Sequence, residues 1–390
     1  FFPEGGGQPA DRGVISVGDL SLSISDAQNV NNVCVLLCEA PKEISYDKVV
    51  QAFSLGQNVN QVLDWDRRFD FMTQHSGQHL ISAVALKQGL DTHSFSLGQN
   101  TLTSYIDFTV DAEKDIDEHY HKTMDRIETI VNEHIRENLP MSPTWLDPGD
   151  PEFKTRVRSR LLPAGFTGKV RLVEIGGGVD FNTCCGTHVP TLGSLQMIKF
   201  FKMEKVKGTT LRVHFAAGKR LMQIMESSYE RQSKFTNMLS CNEDEHVTRL
   251  SALLEDKRGK EKEIKTLNEQ LCECRAKDIL SECKANGNIA VVDLGAVDMA
   301  FMTMLSTAVL EKIGNSDGIL LLFVAGPDDM DEGSFLLAGE AALVDKVGKD
   351  TAKMLAGRGG GRNGRFQGKG TKIRSGLADV KLALTRIKQI

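Results

Sequence analysis

The sequence predicts an α+β protein in four parts: a β-rich subdomain over residues 1–65, an α/β core over 66–218, a helical linker over 219–285 and a small α/β domain over 286–390. Three observations lead to it. Short alternating apolar runs crowd the front, Glu- and Lys-rich helical patterns fill the stretch after 219, and interleaved strand-like and helix-like segments begin at Ile289.

Val14-Ile15-Ser16-Val17, Leu20-Ser21-Leu22-Ser23-Ile24 and Val33-Cys34-Val35-Leu36-Leu37 are the strands of the first part. The stretch Pro3-Glu4-Gly5-Gly6-Gly7-Gln8 reads either as a plain hairpin turn or as a bare backbone that lets a ligand approach. Residues 64–69 form a charged elbow with Trp65 turned to the core. A helix then opens with Asp70 as its cap and runs through Leu80, Ala83, Val84 and Ala85 towards Gly89. Residues 101–108 alternate as a strand. Over 111–138, Ile116, Tyr120, Met124, Ile127, Val131 and Ile135 recur at helical spacing, leaving His119, His121 and His134 as surface or structural residues.

Residues 170–175 are strand-like and lead into a loop rich in Gly and Asn, after which 193–202 and 208–215 form paired strands. Lys199, Lys202, Lys205, Lys207 and Arg212 gather there, suited equally to RNA phosphates and to guarding a sheet edge. In the linker, Val247, Leu250, Leu254, Ile264, Leu267 and Leu271 follow helical intervals, as in a helical hairpin or coiled coil. The last part alternates strands at 289–292, 318–325 and 334–337 with helices near 297–313 and 341–356. From 352 to 390 there are ten Lys or Arg against one acid, Asp379, a net of +9 in a chain whose total is −5. Arg358, Arg362, Arg365 and Lys369 lie there among glycines, a composition that reads as a nucleic-acid contact or as a disordered basic tail.

Eight cysteines in 390 residues are too few for a disulfide scaffold and favour a reduced, cytoplasmic setting. Apolar runs such as 319–325 are too short to span a bilayer. The chain starts on Phe1 inside a motif, so further residues are expected upstream.

Chemistry concentrates in two short segments. His75 and His79 stand at i, i+4, which on a helix puts them one turn apart on one face. Cys184 and His188 repeat the spacing more than a hundred residues later. Each pair alone is common on ordinary surfaces; together they offer three imidazoles and a thiolate, the set that zinc takes tetrahedrally. Copper and iron fit less well, because no Met-Cys-His or His-His-carboxylate set is present.

With Phe2-Pro3-Glu4-Gly5-Gly6-Gly7-Gln8-Pro9 at the front, these pairs resemble the editing domain of alanyl-tRNA synthetase and its free-standing relatives, the alanyl-tRNA editing proteins. The Gly-rich end resembles the carboxyl-terminal domain of that family, used there for tRNA binding or dimerisation. One departure stands out: the family reads Cys-Gly-Gly-Thr-His, whereas this chain reads Cys184-Cys185-Gly186-Thr187-His188.

The resemblance implies a cytoplasmic zinc-containing hydrolase that deacylates tRNA(Ala) mischarged with serine, or glycine, in trans. It implies Zn²⁺ on His75, His79, Cys184 and His188 with Cys185 turned away, and a pocket formed by Gly5, Gly6, Gly7, Gln8, Gln78 and Thr187. It further implies tRNA contacts from Arg358, Arg362, Arg365 and Lys369, and a homodimer through the last domain. Serine must be told from the smaller alanine by a hydrogen bond to its hydroxyl, and Thr187, between Cys184 and His188, is the first choice ahead of Gln8 and Gln78. Four protein ligands close a tetrahedral site in the manner of structural zinc, so no catalytic base is assigned. A tRNA- or partner-binding protein with structural zinc is the rival reading. An editor of mischarged tRNA(Thr) is disfavoured by the Gly-rich segments at both ends.

Overall fold

The computed structural model describes residues 1–31, 33–111, 120–158, 166–314 and 318–387. Among the described residues the fold is mixed α and β with four sheets, and it divides into two compact units, Phe1–Met238 and Leu239–Ile390. No described helix is long and apolar enough to cross a membrane.

The first unit begins with strands β1 (Gly13–Val17), β2 (Leu20–Val30) and β3 (Val33–Glu39), helix α1 (Tyr46–Ala52) and strand β4 (Asn60–Leu63). They make an antiparallel sheet in the order β3-β2-β1-β4, whose inner face buries Ile15, Leu22 and Ile24. Helix α2 (Trp65–Lys87) follows, then β5 (Asp91–Ser96), β6 (Ser104–Thr109), α3 (His121–Glu137), β7 (Met141–Leu146), α4 (Pro151–Arg156), β8 (Val170–Ile175) and β9 (Asp180–Thr183). Strands β10 (Ile198–Lys207) and β11 (Thr210–Ala217) and helix α5 (Lys219–Leu239) complete it. One sheet runs β10-β11-β6-β5 and another β7-β8-β9, all neighbours antiparallel.

Helix α2 opens six residues earlier than the sequence suggested. Asp64 is the cap, its carboxylate accepting from the Arg67 amide at 3.1 Å. Asp70 lies inside the helix and instead grips the buried Arg220 at 2.7 Å. Trp65, expected in the core, is 56% exposed because the extra turn carries it outward. From α2, Leu80, Ile81 and Val84 join Ile127 and Val131 of α3 and Phe108, Val213 and Phe215 of the sheet in one buried cluster. Each such side chain contributes roughly 1.5–3 kcal/mol on burial, enough to hold α2 immobile. The described part of the third helix starts at His121; Ile116 and His119 lie outside the described residues.

The second unit holds α6 (His246–Ala285), β12 (Ile289–Asp293), α7 (Met299–Ile313), β13 (Leu320–Ala325), β14 (Gly333–Gly339), α8 (Ala341–Met354), β15 (Gly357–Arg362), β16 (Arg365–Gly370) and α9 (Leu377–Ile387). Its sheet runs β12-β13-β14-β16-β15; β12 and β13 are parallel and the rest antiparallel. Only the C-terminal part of α6 is buried, through Cys272, Ala276, Ile279 and Cys283, whereas Val247, Leu250, Leu254, Ile264, Leu267 and Leu271 are exposed. The Gly-rich end is not a tail. It is the hairpin β15–β16, closed at Asn363 and Gly364, whose positive φ values (56° and 77°) suit a two-residue turn.

Candidate metal centre

The middle of α2 is buried on every side yet polar. Gln74, His75, Ser76, Gln78, His79 and Ser82 are all at most 4% exposed, and buried polar groups at this density mark a site more strongly than exposed ones. Gln74 anchors the helix to the sheet, donating to the Ala217 carbonyl at 3.0 Å and accepting from its amide at 3.1 Å. His75 and His79 then face the loop after β9, where Cys184 and His188 sit.

The four predicted ligands converge. One donor atom from each of His75, His79, Cys184 and His188 lies within 4.8 Å of all the others. Cys184 Sγ is 3.2 Å from His188 Nε2 and 3.5 Å from His75 Nε2. Ligand–ligand edges of about 3.3–3.8 Å are what tetrahedral Zn–N and Zn–S bonds require, so the cluster could hold a metal with small adjustments.

The other ring nitrogens are held from behind. His75 Nδ1 is 2.9 Å from Gln8 Oε1, His188 Nδ1 is 3.2 Å from Ser76 Oγ, and His79 Nδ1 is 3.6 Å from Asp180 Oδ2, an ion-pair distance rather than a hydrogen bond. With Nδ1 of His75 and His188 hydrogen-bonded to these oxygens, their Nε2 atoms are left with lone pairs towards the cluster, while His79 Nδ1 meets Asp180 only at ion-pair distance. Gln8 also accepts from the Thr187 amide at 2.9 Å and donates to the Thr187 hydroxyl at 2.6 Å, clamping the loop to His75. Ser76 likewise accepts from the Val189 amide at 3.1 Å. Arg158 holds Asp180 through two hydrogen bonds of 2.8 and 3.0 Å.

Electrostatics favour the ligating forms. Burial works against the Cys184 thiolate, but hydrogen bonds from His188, His75 and His79 outweigh it and push the thiol down to about 2. Burial also pushes the His188 imidazolium down to about 3, with help from the neighbouring histidines, and it lowers His75. His79 differs: burial opposes its charge, yet Asp180 and Cys184 raise it. Burial would likewise raise Asp180, but His79 and Arg158 lower it, so Asp180 stays a carboxylate.

Two glycines explain how close the parts come. A Cβ at Gly186 would lie 2.2 Å from His75 Cε1, and one at Gly7 would lie 2.6 Å from the Phe95 ring. Gly5 and Gln8 pair through both backbone groups, and the positive φ of Gly6 and Gly7 (57° and 79°) closes the turn that seats Gln8. The front is thus a hairpin turn. Cys185 is exposed and outside the cluster.

A cavity of about 870 Å³ opens beside the cluster and is lined among others by Gly6, Gly7, His75, Gln78, His79, Phe95, Cys184 and Cys185. Gln8 and Thr187 do not line it; they lie behind the cluster. Among the described residues Gln78 Oε1 is buried without a hydrogen-bond partner, while its amide donates to Ser82 at 2.9 Å. Of the basic residues on β10 and β11, Lys199 pairs with Glu128, Lys202 with Glu204 and Arg212 with Asp107, which fits a structural role. Among the hairpin cations, Arg365 donates to Thr307 at 2.8 Å, whereas Arg358, Arg362 and Lys369 are exposed.

Sequence reading missed Asp180, Arg158 and Ser76. Ser76 lay beside His75 and could have been flagged by position; Asp180 and Arg158 carry no spacing signal, because only the fold brings them to His79.

Comparison with known proteins places this site in a family. Residues 170–214, which span β8 to β11 and include Cys184 and His188, match the family described as threonyl and alanyl tRNA synthetase second additional domain. Alanyl-tRNA editing protein Aarsd1 of Mus musculus is 37% identical over 377 residues, covering 96% of this chain and 83% of its own length. Alanyl-tRNA editing protein Aarsd1-B of Xenopus laevis is 34% identical over 99% of the chain and 86% of its own length. The alanine–tRNA ligase of Natronomonas pharaonis is 28% identical over 89% of the chain, which corresponds to 36% of the ligase. On this identity and coverage, the chain belongs to the alanyl-tRNA editing protein family.

Proposed function

We propose that the chain is a trans-acting editing hydrolase that cleaves the ester of tRNA(Ala) mischarged with serine, and also with glycine, using Zn²⁺ held by His75, His79, Cys184 and His188. The observation that carries this reading is the convergence of those four side chains beside an 870 Å³ cavity that His75, His79 and Cys184 line, with His75 and His188 hydrogen-bonded from behind. Zinc bound there would supply positive charge that polarises an ester carbonyl or an associated water.

The chain's own residues do the rest. Gln8, Ser76 and Asp180 fix the three imidazoles, so the site is set before substrate arrives. Serine recognition falls to Gln78 in this reading, in place of Thr187. The Thr187 hydroxyl is taken by Gln8, whereas Gln78 lines the cavity and its Oε1 lacks a partner. A serine hydroxyl would satisfy that oxygen. Alanine would leave it bare at a cost of about 1–3 kcal/mol. The exposed hairpin residues Arg358, Arg362 and Lys369 would meet tRNA phosphates, and a homodimer through the same domain and a cytoplasmic setting complete the proposal.

Deacylation of purified Ser-tRNA(Ala), Gly-tRNA(Ala) and Ala-tRNA(Ala) tests it. Hydrolysis of the first two with Ala-tRNA(Ala) spared supports the reading; a zinc-replete protein that binds tRNA and hydrolyses none of them supports the structural-zinc alternative.

A further inference from the structure

The cavity beside the metal cluster has an outer wall that neither the ligands nor Gln78 account for. Trp145 and Phe166, 56% and 42% exposed, both line it, and so do Lys169 and Arg171. Two large, partly exposed aromatic rings and two cations thus line one open wall beside the cluster. The register explains the arrangement: on the β7–β8 ladder Trp145 stands directly opposite Arg171, so ring and guanidinium share one face of the sheet. Arg171 is tied to the cluster as well, since it donates to the Cys184 carbonyl at 2.5 Å. The wall and the metal site are therefore one rigid piece.

We infer that this wall is a stacking platform for the single-stranded 3′ end of the RNA, with Trp145 and Phe166 taking bases and Lys169 and Arg171 facing the phosphates between them. The inference rests on the proposed function, since it supplies the part of the substrate that lies beyond the amino acid. Aromatic faces accept any base, and cations alternating with them follow the backbone, which is how single strands are held without sequence readout. Buried anchors would serve an apolar ligand better; exposed rings beside two cations suit a polyanion that carries flat bases. The amino acid would then reach the cluster because the base next to it is stacked about one cavity width away.

The chain has two tryptophans, Trp65 and Trp145, so Trp65→Phe leaves Trp145 as the one indole reporter. The experiment titrates the full chain carrying that change with an uncharged acceptor-stem RNA ending in its single-stranded 3′ tail, and with the same RNA lacking the tail. Quenching by the tailed RNA alone is expected. Trp145→Ala should weaken tail-dependent binding about tenfold and raise KM for Ser-tRNA(Ala) while leaving kcat nearly unchanged, and Trp145→Phe should restore most of the loss. Because the RNA is uncharged, quenching survives even if the protein fails to deacylate, in which case the proposed function falls and the platform stands. Equal binding of both RNAs, or an unchanged KM in both Trp145→Ala and Phe166→Ala proteins that still deacylate, overturns the inference.

Discussion

Two glycine-rich segments of this chain have similar composition and opposite architecture. Gly5-Gly6-Gly7 makes a tight turn whose purpose is internal: it seats Gln8, 1% exposed, against His75 and Thr187. The segment from Gly357 to Gly370 makes a hairpin at the edge of a five-stranded sheet, where a Cβ at Gly357, Gly359, Gly361 or Gly368 would run into the partner strand's backbone and Arg358, Arg362 and Lys369 stand in solvent. Glycine permits close approach in both; in the first it closes a turn that buries the polar Gln8, and in the second it lets two backbones pair and leaves charge as the main exposed feature. Composition alone therefore says little about what a glycine-rich stretch does. What its neighbours contact decides it.

The comparison can be broken most sharply at the metal. Removing the thiolate with Cys184→Ala should abolish stoichiometric zinc and lower deacylation by more than about 100-fold, while the hairpin keeps its affinity for tRNA. Elemental analysis and filter binding on the same preparation check both halves. Gln8→Ala is the next step down. It leaves every ligand in place but frees His75 Nδ1 and the Thr187 loop, so zinc affinity should fall about 10- to 100-fold, measured by competition with a chelator.

A matched pair of glycine substitutions sharpens the contrast. Gly7→Ala drives a methyl into the Phe95 ring at a positive φ and should cost about 1–3 kcal/mol of stability. Gly360→Ala, where nothing lies within 4 Å of the added carbon, should change stability by less than about 0.5 kcal/mol. Equal thermal shifts for the two would deny that the segments differ in kind. Gln78→Leu should reduce the preference for Ser-tRNA(Ala) over Ala-tRNA(Ala) by about 1–3 kcal/mol, roughly 5- to 100-fold, and Thr187→Val should leave that ratio close to wild type. Smallest in turnover is the hairpin: Arg358, Arg362 and Lys369 changed together to Gln should lower the salt slope of tRNA binding by about 2 to 3 with saturating turnover nearly intact. Arg365 is left out because its bond to Thr307 ties it to α7.

Much of the site could be read before any coordinates. His75 and His79 stood at a spacing that a helix makes useful; Cys184 and His188 lie in a loop, where the same spacing carries no helical meaning, so their part of the set came from donor chemistry and the family resemblance. The supports did not follow. Asp180 reaches His79 because β9 passes α2, and Arg158 reaches Asp180 from outside the regular elements, contacts that no local pattern encodes. Thr187 looked suited to reading serine from its position between two ligands; its hydroxyl turns out to face Gln8, a residue 179 positions away. The fold shows the same divide. Strands β1 to β3 and helices α6 to α8 followed from periodicity and α9 did not, whereas the cap at Asp64 and the exposure of Trp65 depended on how many turns α2 adds before its buried part begins. The Gly-rich end was ambiguous because glycines and arginines carry no strand signal; Asn363-Gly364 was the one local clue to a hairpin.

The central claim is that the His75, His79, Cys184 and His188 cluster serves an ester hydrolase that separates serine from alanine. The most direct test is a time course of amino-acid release from Ser-tRNA(Ala) and Ala-tRNA(Ala) by the purified chain, run beside its Cys184→Ala variant with zinc content measured in both. The account predicts fast loss of serine, slow loss of alanine, and neither above background in the variant. Equal release of serine by the zinc-free variant and the wild-type chain would contradict it.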